Sequence, residues 1–368
     1  MNPKVSAKTE SDGILNFTIS QVNVSIANAI RRVILSEIPS VVFRTFPHDE
    51  NRVNITKNTS RFTNEMIKQR VGCVPIHLPV DTPIEDYEIH LNVKNNTNEI
   101  MYITTKDFKV KNKTLDKFLS EAEQRKIFPP NELTGDYILI ARLLPGFEKT
   151  QGQQLAFTAT LDIGNAKEDG MYAVASTSCY SNTVDPNKVT AAWTEVNNKM
   201  ESEGSTKEEI EAFRENWLVS QADRYFQDDS FDFTIETVGV YENDELVANA
   251  CDIVINKIEK FNNSLQMKTA KIASTESTME NCYDIILEGE DYTLGKVLEF
   301  ILYNDYYSEQ ILTFCGFKKF HPHDDYSIIR VAFTNNEEMS VIYDTLISVC
   351  SSATKVFENI KQHFTNDD

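Results

Sequence analysis

Glycine is scarce in this 368-residue chain, with 12 residues spread singly, and neither a GxxxxGK[ST] loop nor a GxGxxG turn can be drawn. That excludes the glycine-rich cradles that hold phosphates. The six cysteines, Cys73, Cys179, Cys251, Cys282, Cys315 and Cys350, lie far apart with no CxxC pair. This is the pattern of buried thiols in a reducing compartment rather than of a disulfide frame or a zinc site. No apolar run approaches the roughly eighteen residues a membrane helix needs. The opening MNPKVSAKTESDG is polar and has no apolar signal core, so secretion is not expected and triplets such as Asn54-Ile55-Thr56 are chance glycosylation matches. Positive charge is also short, with 36 Lys and Arg against 56 Asp and Glu and a net charge of -20. Phosphate binding needs clustered cations, so a direct grip on nucleic acid is disfavoured.

Against these absences stands a repeat. Asn23 to Pro39, NVSIANAIRRVILSEIP, places Ile26, Ile30, Val33 and Ile34 on one helical face and sets Arg31 and Arg32 off it. Ser25 is the expected N-cap, and Pro39 stops the helix by excluding α geometry from its predecessor. A looser copy returns at Asp291 to Asp305, DYTLGKVLEFILYND, with Leu294, Val297, Leu298 and Ile301 on its packing face. Two copies of one half-module suggest an internal dimer.

The apolar content of 41% supports two or three cores in a chain of this length. Gly13 to Ser20 reads as a strand whose faces carry Leu15, Phe17 and Ile19 on one side and Ile14, Asn16 and Thr18 on the other. From Val41 the pattern turns to short alternating segments: Tyr87, Ile89, Leu91 and Val93 share a strand face, and Tyr137 to Leu144 is a more continuous run. Gln154 to Leu161 and Met171 to Tyr180 are read as strands back in the parent domain, with Asp162 to Gly170 a polar loop between them. Thr190 to Phe226 predicts one or two surface helices. Asp244 to Leu265, including Ile253 and Ile258, and Glu337 to Phe364, including Met339, Ile342, Leu346 and Val349, predict two long helices with wide apolar stripes. Each stripe packs on its own sheet or on the other stripe. Asn262 to Thr278 reads as a tether between halves, which would hold them at effective concentrations on the order of millimolar.

The wording Ala27, Asn28, Ala29, Ile30, Arg31, Arg32, Ser36, Glu37, Ile38, Pro39 resembles the first helix of the alpha-type assembly subunits of cellular RNA polymerases. Ser60 to Pro79 is similar to that family's short helix ending in an arginine before an apolar strand, and Phe231 to Lys257 to its closing strand, turn and long helix. Cys282 to Val331 resembles the small eleventh subunit, the dimer partner of the third. The resemblance implies an α+β pseudo-dimer of two half-modules with an inserted mixed domain. It divides the chain into residues 1–40 and 151–261, a dimerisation domain resembling the third subunit; 41–150, the insertion; 262–278, a linker; and 279–368, a dimerisation domain resembling the eleventh subunit. The implied function is a non-catalytic assembly platform whose partners are the second-largest and largest polymerase subunits and other small subunits, with no direct sequence-specific nucleic-acid contact and no membrane. Asn28, Arg31, Arg32 and Glu37 are the implied partner-binding residues, and Glu37 could instead pair with the arginines locally. Fusion of the two partners resembles the arrangement in some large cytoplasmic DNA viruses, which implies action in the host cytoplasm and possible packaging in virions; a cellular origin implies the nucleus. The chain departs from the family in lacking its cysteine cluster, so no metal or other cofactor is expected, and in carrying Lys296 and Glu299 where asparagine and arginine are usual.

No nucleophile with a base, metal cage or phosphate cradle is evident. Asp228, Asp229 and Asp232 form the densest carboxylate cluster, and a free-standing metal-dependent enzyme acting on nucleotides through them is the alternative function. Their place in a polar lead-in to a strand equally fits solvated acids. His321, His323 and Asp324 near Cys315 could be drawn as ligands, yet Pro322 between the histidines favours a turn.

Overall fold

Alternation of Leu15, Phe17 and Ile19 with Asn16 and Thr18 makes a strand with one dry face, and the whole architecture is α+β, built by covering such faces with amphipathic helices. The computed structural model describes residues 1–147, 151–275 and 279–365. They divide into two compact units: one holds Met1–Ile34, Thr177–Glu236 and the chain from Asn243 on, and the other holds Leu35–Ser176 and Thr237–Glu242.

The first unit contains one topology twice. Its first copy runs β1 (Lys4–Ser11), β2 (Ile14–Ser20), α1 (Val24–Ser36), β3 (Ala175–Val184), the helices α2 (Pro186–Ser202) and α3 (Lys207–Gln221), β4 (Phe226–Thr237) and α4 (Asn243–Gln266). The second runs β5 (Ile272–Ser274), β6 (Cys282–Glu288), α5 (Tyr292–Leu302), β7 (Leu312–Lys318), β8 (Tyr326–Phe333) and α6 (Met339–Thr365). The sheet orders are β1-β2-β4-β3 and β5-β6-β8-β7, so each strand has a counterpart in the same place.

The long helices join the copies. In α4, Leu246, Val247, Ala250, Val254 and Ile258 are buried, and in α6 Ile342, Leu346, Val349, Ala353 and Ile360. These stripes pack against each other in the most extensive contact between helices. Phe17 of β2 stacks on Phe233 of β4 at 5.1 Å and meets the edge of Phe364 of α6 at 4.9 Å, which carries the core across from one copy to the other.

The second unit is a mixed fold around Phe43, Phe108, Phe128 and Phe157. Its five-stranded sheet runs Val53–Asn58, Gln154–Thr160, Tyr87–Lys94, Lys109–Asn112, Lys117–Phe118. Two smaller pairs, Ser40–Val42 with Asp162–Gly164 and Met101–Thr104 with Leu139–Leu143, complete it.

Several sequence expectations are corrected here. Gln154–Thr160 does not return to the parent sheet: it pairs with Val53–Asn58 and Tyr87–Lys94, burying Leu155, Phe157 and Ala159 in the second unit, which extends to Ser176. The tether read at residues 262–278 is partly structured, because α4 continues to Gln266 and β5 pairs with β6; Glu276 to Thr278 lie outside the described residues. Met171 sits in a single 3-10 turn, Gly170–Tyr172, before β3 starts. Asp162–Gly164, read as loop, is strand. Lys4–Ser11, read only as a polar terminus, pairs with β2 along its length. The chain after helix Asn64–Gly72 buries Val74 and Ile76 but forms no strand.

Candidate assembly interface

The α1 helix is positioned by its apolar face, with Ile26, Ile30, Val33 and Ile34 all fully buried. Its cap is Asn23 rather than Ser25: Asn23 Oδ1 accepts the Ser25 N–H at 2.9 Å, and the Ser25 hydroxyl is buried with no partner among the described residues. The helix α5 repeats the device with Asp291, whose Oδ1 accepts the Thr293 N–H at 2.8 Å. Below it Leu294, Val297, Leu298 and Ile301 are buried. Among the residues expected to pack the internal dimer, Ile258, Ile342, Leu346 and Val349 are buried as well. Ile253 is the departure: it is only half-buried, because Val254 takes the inward position on α4, and Met339 at the start of α6 is exposed.

The polar residues of α1 are divided among different tasks. Arg31 Nε donates to Asn28 Oδ1 at 3.0 Å, so these two form one half-buried feature. No carboxylate lies within ion-pair distance of Arg31 among the described residues. Arg32 turns toward the second copy. Its Nη2 donates to Asp291 Oδ2 at 2.7 Å and its Nε to Thr293 Oγ1 at 3.0 Å, so the guanidinium grips the cap of α5. The expectation that Arg32 anchors an external partner therefore meets a competing use inside the chain. Glu37 belongs to the second unit, where its carboxylate faces Lys167 Nζ at 3.7 Å.

Two more ion pairs tie the copies: Lys257 of α4 with Glu290 at 3.0 Å, and Lys361 of α6 with Asp252 of α4 at 2.7 Å. Sequence reasoning missed Asp291, Glu290 and Asp252 as partners, since a capping aspartate carries no sign of a second bond.

Between α1 and α5 lies a groove of about 390 Å³ lined by Asn23, Ser25, Asn28, Tyr180, Tyr292 and Lys296. Lys296 and Glu299, the departures noted in the second helix, pair with each other, and Glu299 Oε1 also accepts the Phe317 N–H at 3.0 Å. Cys315 borders the groove, and burial pushes its thiol up to about 12. Burial also raises Cys251 and Cys350, which makes both inert packing groups. Cys73 and Cys179, expected to be buried, are exposed.

The alternative catalytic cluster takes a structural arrangement. Asp228 and Asp229 are exposed on β4, and Asp232 accepts the hydroxyls of Thr18 at 2.7 Å and Thr183 at 2.8 Å across the sheet. His321, His323 and Asp324 form a turn in which the His321 N–H donates to Asp324 Oδ2 at 3.0 Å. No group of three His, Cys, Asp or Glu converges as a metal cage among the described residues.

Comparison with known proteins points to one family. Over 291 residues the chain is 25% identical to the DNA-directed RNA polymerase subunit Rpo3 of Pyrococcus furiosus, covering 73% of this chain and 98% of that one. The Rpo3 subunit of Thermococcus kodakarensis is 26% identical over 272 residues, 68% of this chain and 93% of its own. Subunit 3 of RNA polymerases II, IV and V of Arabidopsis thaliana is 24% identical over 316 residues, 70% and 89% of the two chains. Residues 16–258 match the model of the RNA polymerase Rpb3/Rpb11 dimerisation domain, from β2 through most of α4, and the chain belongs to that family.

Proposed function

We propose that this chain is a non-catalytic assembly platform of a multisubunit DNA-directed RNA polymerase, and that it supplies both members of the dimer in one polypeptide. The observation that carries this reading is the repeat: the family match covers the first copy from β2 through most of α4, and β5 to α6 supply a second copy of the same sheet order packed on it. In this reading the second copy stands for the separate small partner subunit, and the helix pair α4 and α6 is the dimer interface made intramolecular. The catalytic centre belongs to the two largest subunits. Asn28 and Arg31, a guanidinium with no carboxylate partner among the described residues, are the surface offered to the second-largest subunit, while Arg32 serves pairing of the copies. Glu37, in the other unit, is a second contact point for that subunit. The copy formed by β5 to α6 faces the largest subunit. The site of action is intracellular, and the fused arrangement suggests a viral source working in the host cytoplasm.

The test is mass determination of what co-purifies with the tagged chain from its own source. The two largest polymerase subunits are expected in stoichiometric amount. A chain that purifies alone, or with unrelated proteins, overturns the reading. Asn28→Ala with Arg31→Ala should leave the far-ultraviolet spectrum unchanged and reduce recovery of the second-largest subunit at least roughly tenfold, the loss expected of an interface arginine.

A further inference from the structure

The second unit carries a pocket that the assembly reading does not use. It has a volume of about 520 Å³ and lies beside the helix Asn64–Gly72 and the strand Leu139–Leu143. Its walls are apolar, with Phe62, Ile100 and Ile140 among them, and three arginines surround it: Arg61, Arg70 and Arg142. In a protein with 56 acids against 36 bases, none of these three has a carboxylate within ion-pair distance among the described residues.

Two of the guanidiniums are also held in place. Arg70 Nε donates to the Ile140 carbonyl at 2.7 Å and Nη2 to the Leu139 carbonyl at 2.6 Å, and the group lies over the Phe62 ring at 5.6 Å. Arg142 lies over Tyr102 at 5.4 Å, its cross-strand neighbour in the pair Met101–Thr104 with Leu139–Leu143. Arg61 is exposed and makes no side-chain bond among the described residues. Ile100 of the wall, at 49% exposure, and Tyr102, at 56%, leave further apolar surface open to solvent. Fixed arginines stacked on aromatics around an apolar hole are the composition of a protein interface, and a guanidinium fork matches a carboxylate.

We propose that this pocket docks an acidic, apolar segment of a partner protein, with one apolar side chain in the cavity and carboxylates on either side meeting Arg61 and Arg142. The occupant is a peptide rather than a nucleic acid for two reasons. The aromatic faces of Phe62 and Tyr102 toward the arginines are already covered, which removes them as stacking platforms for bases. A net charge of -20 also repels a long polyanion, whereas a short acidic segment meets only the local cations. The site stands on its own geometry and holds whatever the larger complex is.

The test uses the full chain and fluorescence anisotropy with a labelled peptide alternating leucine and glutamate. Saturable binding is expected, weakened by salt, and reduced at least about tenfold by Arg61→Glu with Arg142→Glu, both exposed positions whose replacement leaves the circular dichroism spectrum unchanged. Ile100→Asp should weaken it through the apolar wall, and Arg214→Glu, an exposed position remote in sequence, should not. No saturable binding, equal binding of a peptide alternating leucine and lysine, or insensitivity to the arginine reversals overturns the proposal. Binding of single-stranded RNA that is lost in the same double variant overturns it in favour of a nucleic-acid site.

Discussion

The two copies in the first unit share a packing face and differ in nearly everything that points outward. Aligned on their caps Asn23 and Asp291, the buried positions Ile26, Ile30, Val33 and Ile34 fall on Leu294, Leu298, Ile301 and Leu302. The outward positions Asn28, Arg31 and Arg32 fall on Lys296, Glu299 and Phe300. The difference has a consequence for pairing. Arg32 of the first copy meets the acidic cap of the second, whereas its counterpart Phe300 lines the groove beside the neutral cap Asn23. A pair of first copies would offer Arg32 no acid, and a pair of second copies would leave Asp291 without a cation. Charge placement at one helix end therefore favours the mixed pair, a specificity device of modest energy. The connections differ too. The first copy carries all of the second unit but Thr237–Glu242 between α1 and β3 and the α2–α3 pair between β3 and β4, whereas the second copy spans the same places with Tyr303 to Ile311 and Lys319 to Asp325. The core topology tolerates both because insertions enter at strand and helix ends, where no ladder is interrupted.

The largest effect should come from the shared face. Ile30→Asp and Leu298→Asp each place an unpaired carboxylate at a fully buried position, which costs roughly 4 kcal/mol or more. Because α4 and α6 form one core, either change should abolish the cooperative unfolding transition of the whole first unit in urea. A Leu298→Asp protein whose first copy still melts normally would break the view that the copies are one folding unit.

A smaller effect separates the copies at Ala27 and Gly295. A Cβ on Gly295 would lie 1.9 Å from the Phe317 ring, while the counterpart Ala27 already carries one. Gly295→Ala should destabilise by about 1–2 kcal/mol, overpacking outweighing the gain in helix propensity. In a Phe317→Ala background the same change should become stabilising by up to about 1 kcal/mol, the intrinsic preference for alanine. Urea midpoints of the four proteins decide it.

What could be read from the sequence follows from which interactions are local. The faces of α1, α4, α5 and α6 are set by spacing along one helix and are legible in the sequence, but spacing alone does not separate the half-buried Ile253 from the buried Val254 within a wide stripe. Strand Gln154–Thr160 has clean alternation and was read as a strand, but its neighbours at Val53–Asn58 and Tyr87–Lys94 are distant in sequence, so its sheet was assigned wrongly. Lys4–Ser11 buries almost nothing and earns its pairing only from the β2 edge, so no pattern announces it. Arg32 was picked out for its chemistry, yet its partner Asp291 is fixed only by tertiary folding.

The Arg32 contact is tested by a double-mutant cycle. Asp291→Ala removes both a helix cap, about 1 kcal/mol, and a half-exposed ion pair of at most about 1 kcal/mol. Arg32→Ala removes the pair and the bond to Thr293 but leaves the cap, so it should cost less, and the coupling between the two should be about 0.5–1 kcal/mol and shrink in salt. Zero coupling would remove the charge-placement argument while leaving the apolar packing intact.

The smallest effect lies on the outer face of the sheets and has a pH signature. Asn16 of β2 pairs in register with Thr234 of β4, and the Thr234 hydroxyl donates to Asn16 Oδ1 at 2.9 Å. At the corresponding place in the second copy Asp284 faces Arg330, joined by two bonds of 2.6 and 2.8 Å. The Arg330 fork holds the Asp284 carboxyl below its ordinary range, partly opposed by burial. A depressed carboxyl contributes stability that is present above its unfolded value of about 4 and is lost as pH falls through the folded value. Asp284→Asn should therefore cost about 1 kcal/mol near neutral pH, since the arginine is partly exposed, and the gap to the parent protein should close in acid. Asn16→Ala removes a neutral bond and should give a stability difference that does not change over the same range. If both variants track pH alike, the acid sensitivity of the protein arises elsewhere, and the second copy is not distinguished from the first by its ionic sheet face.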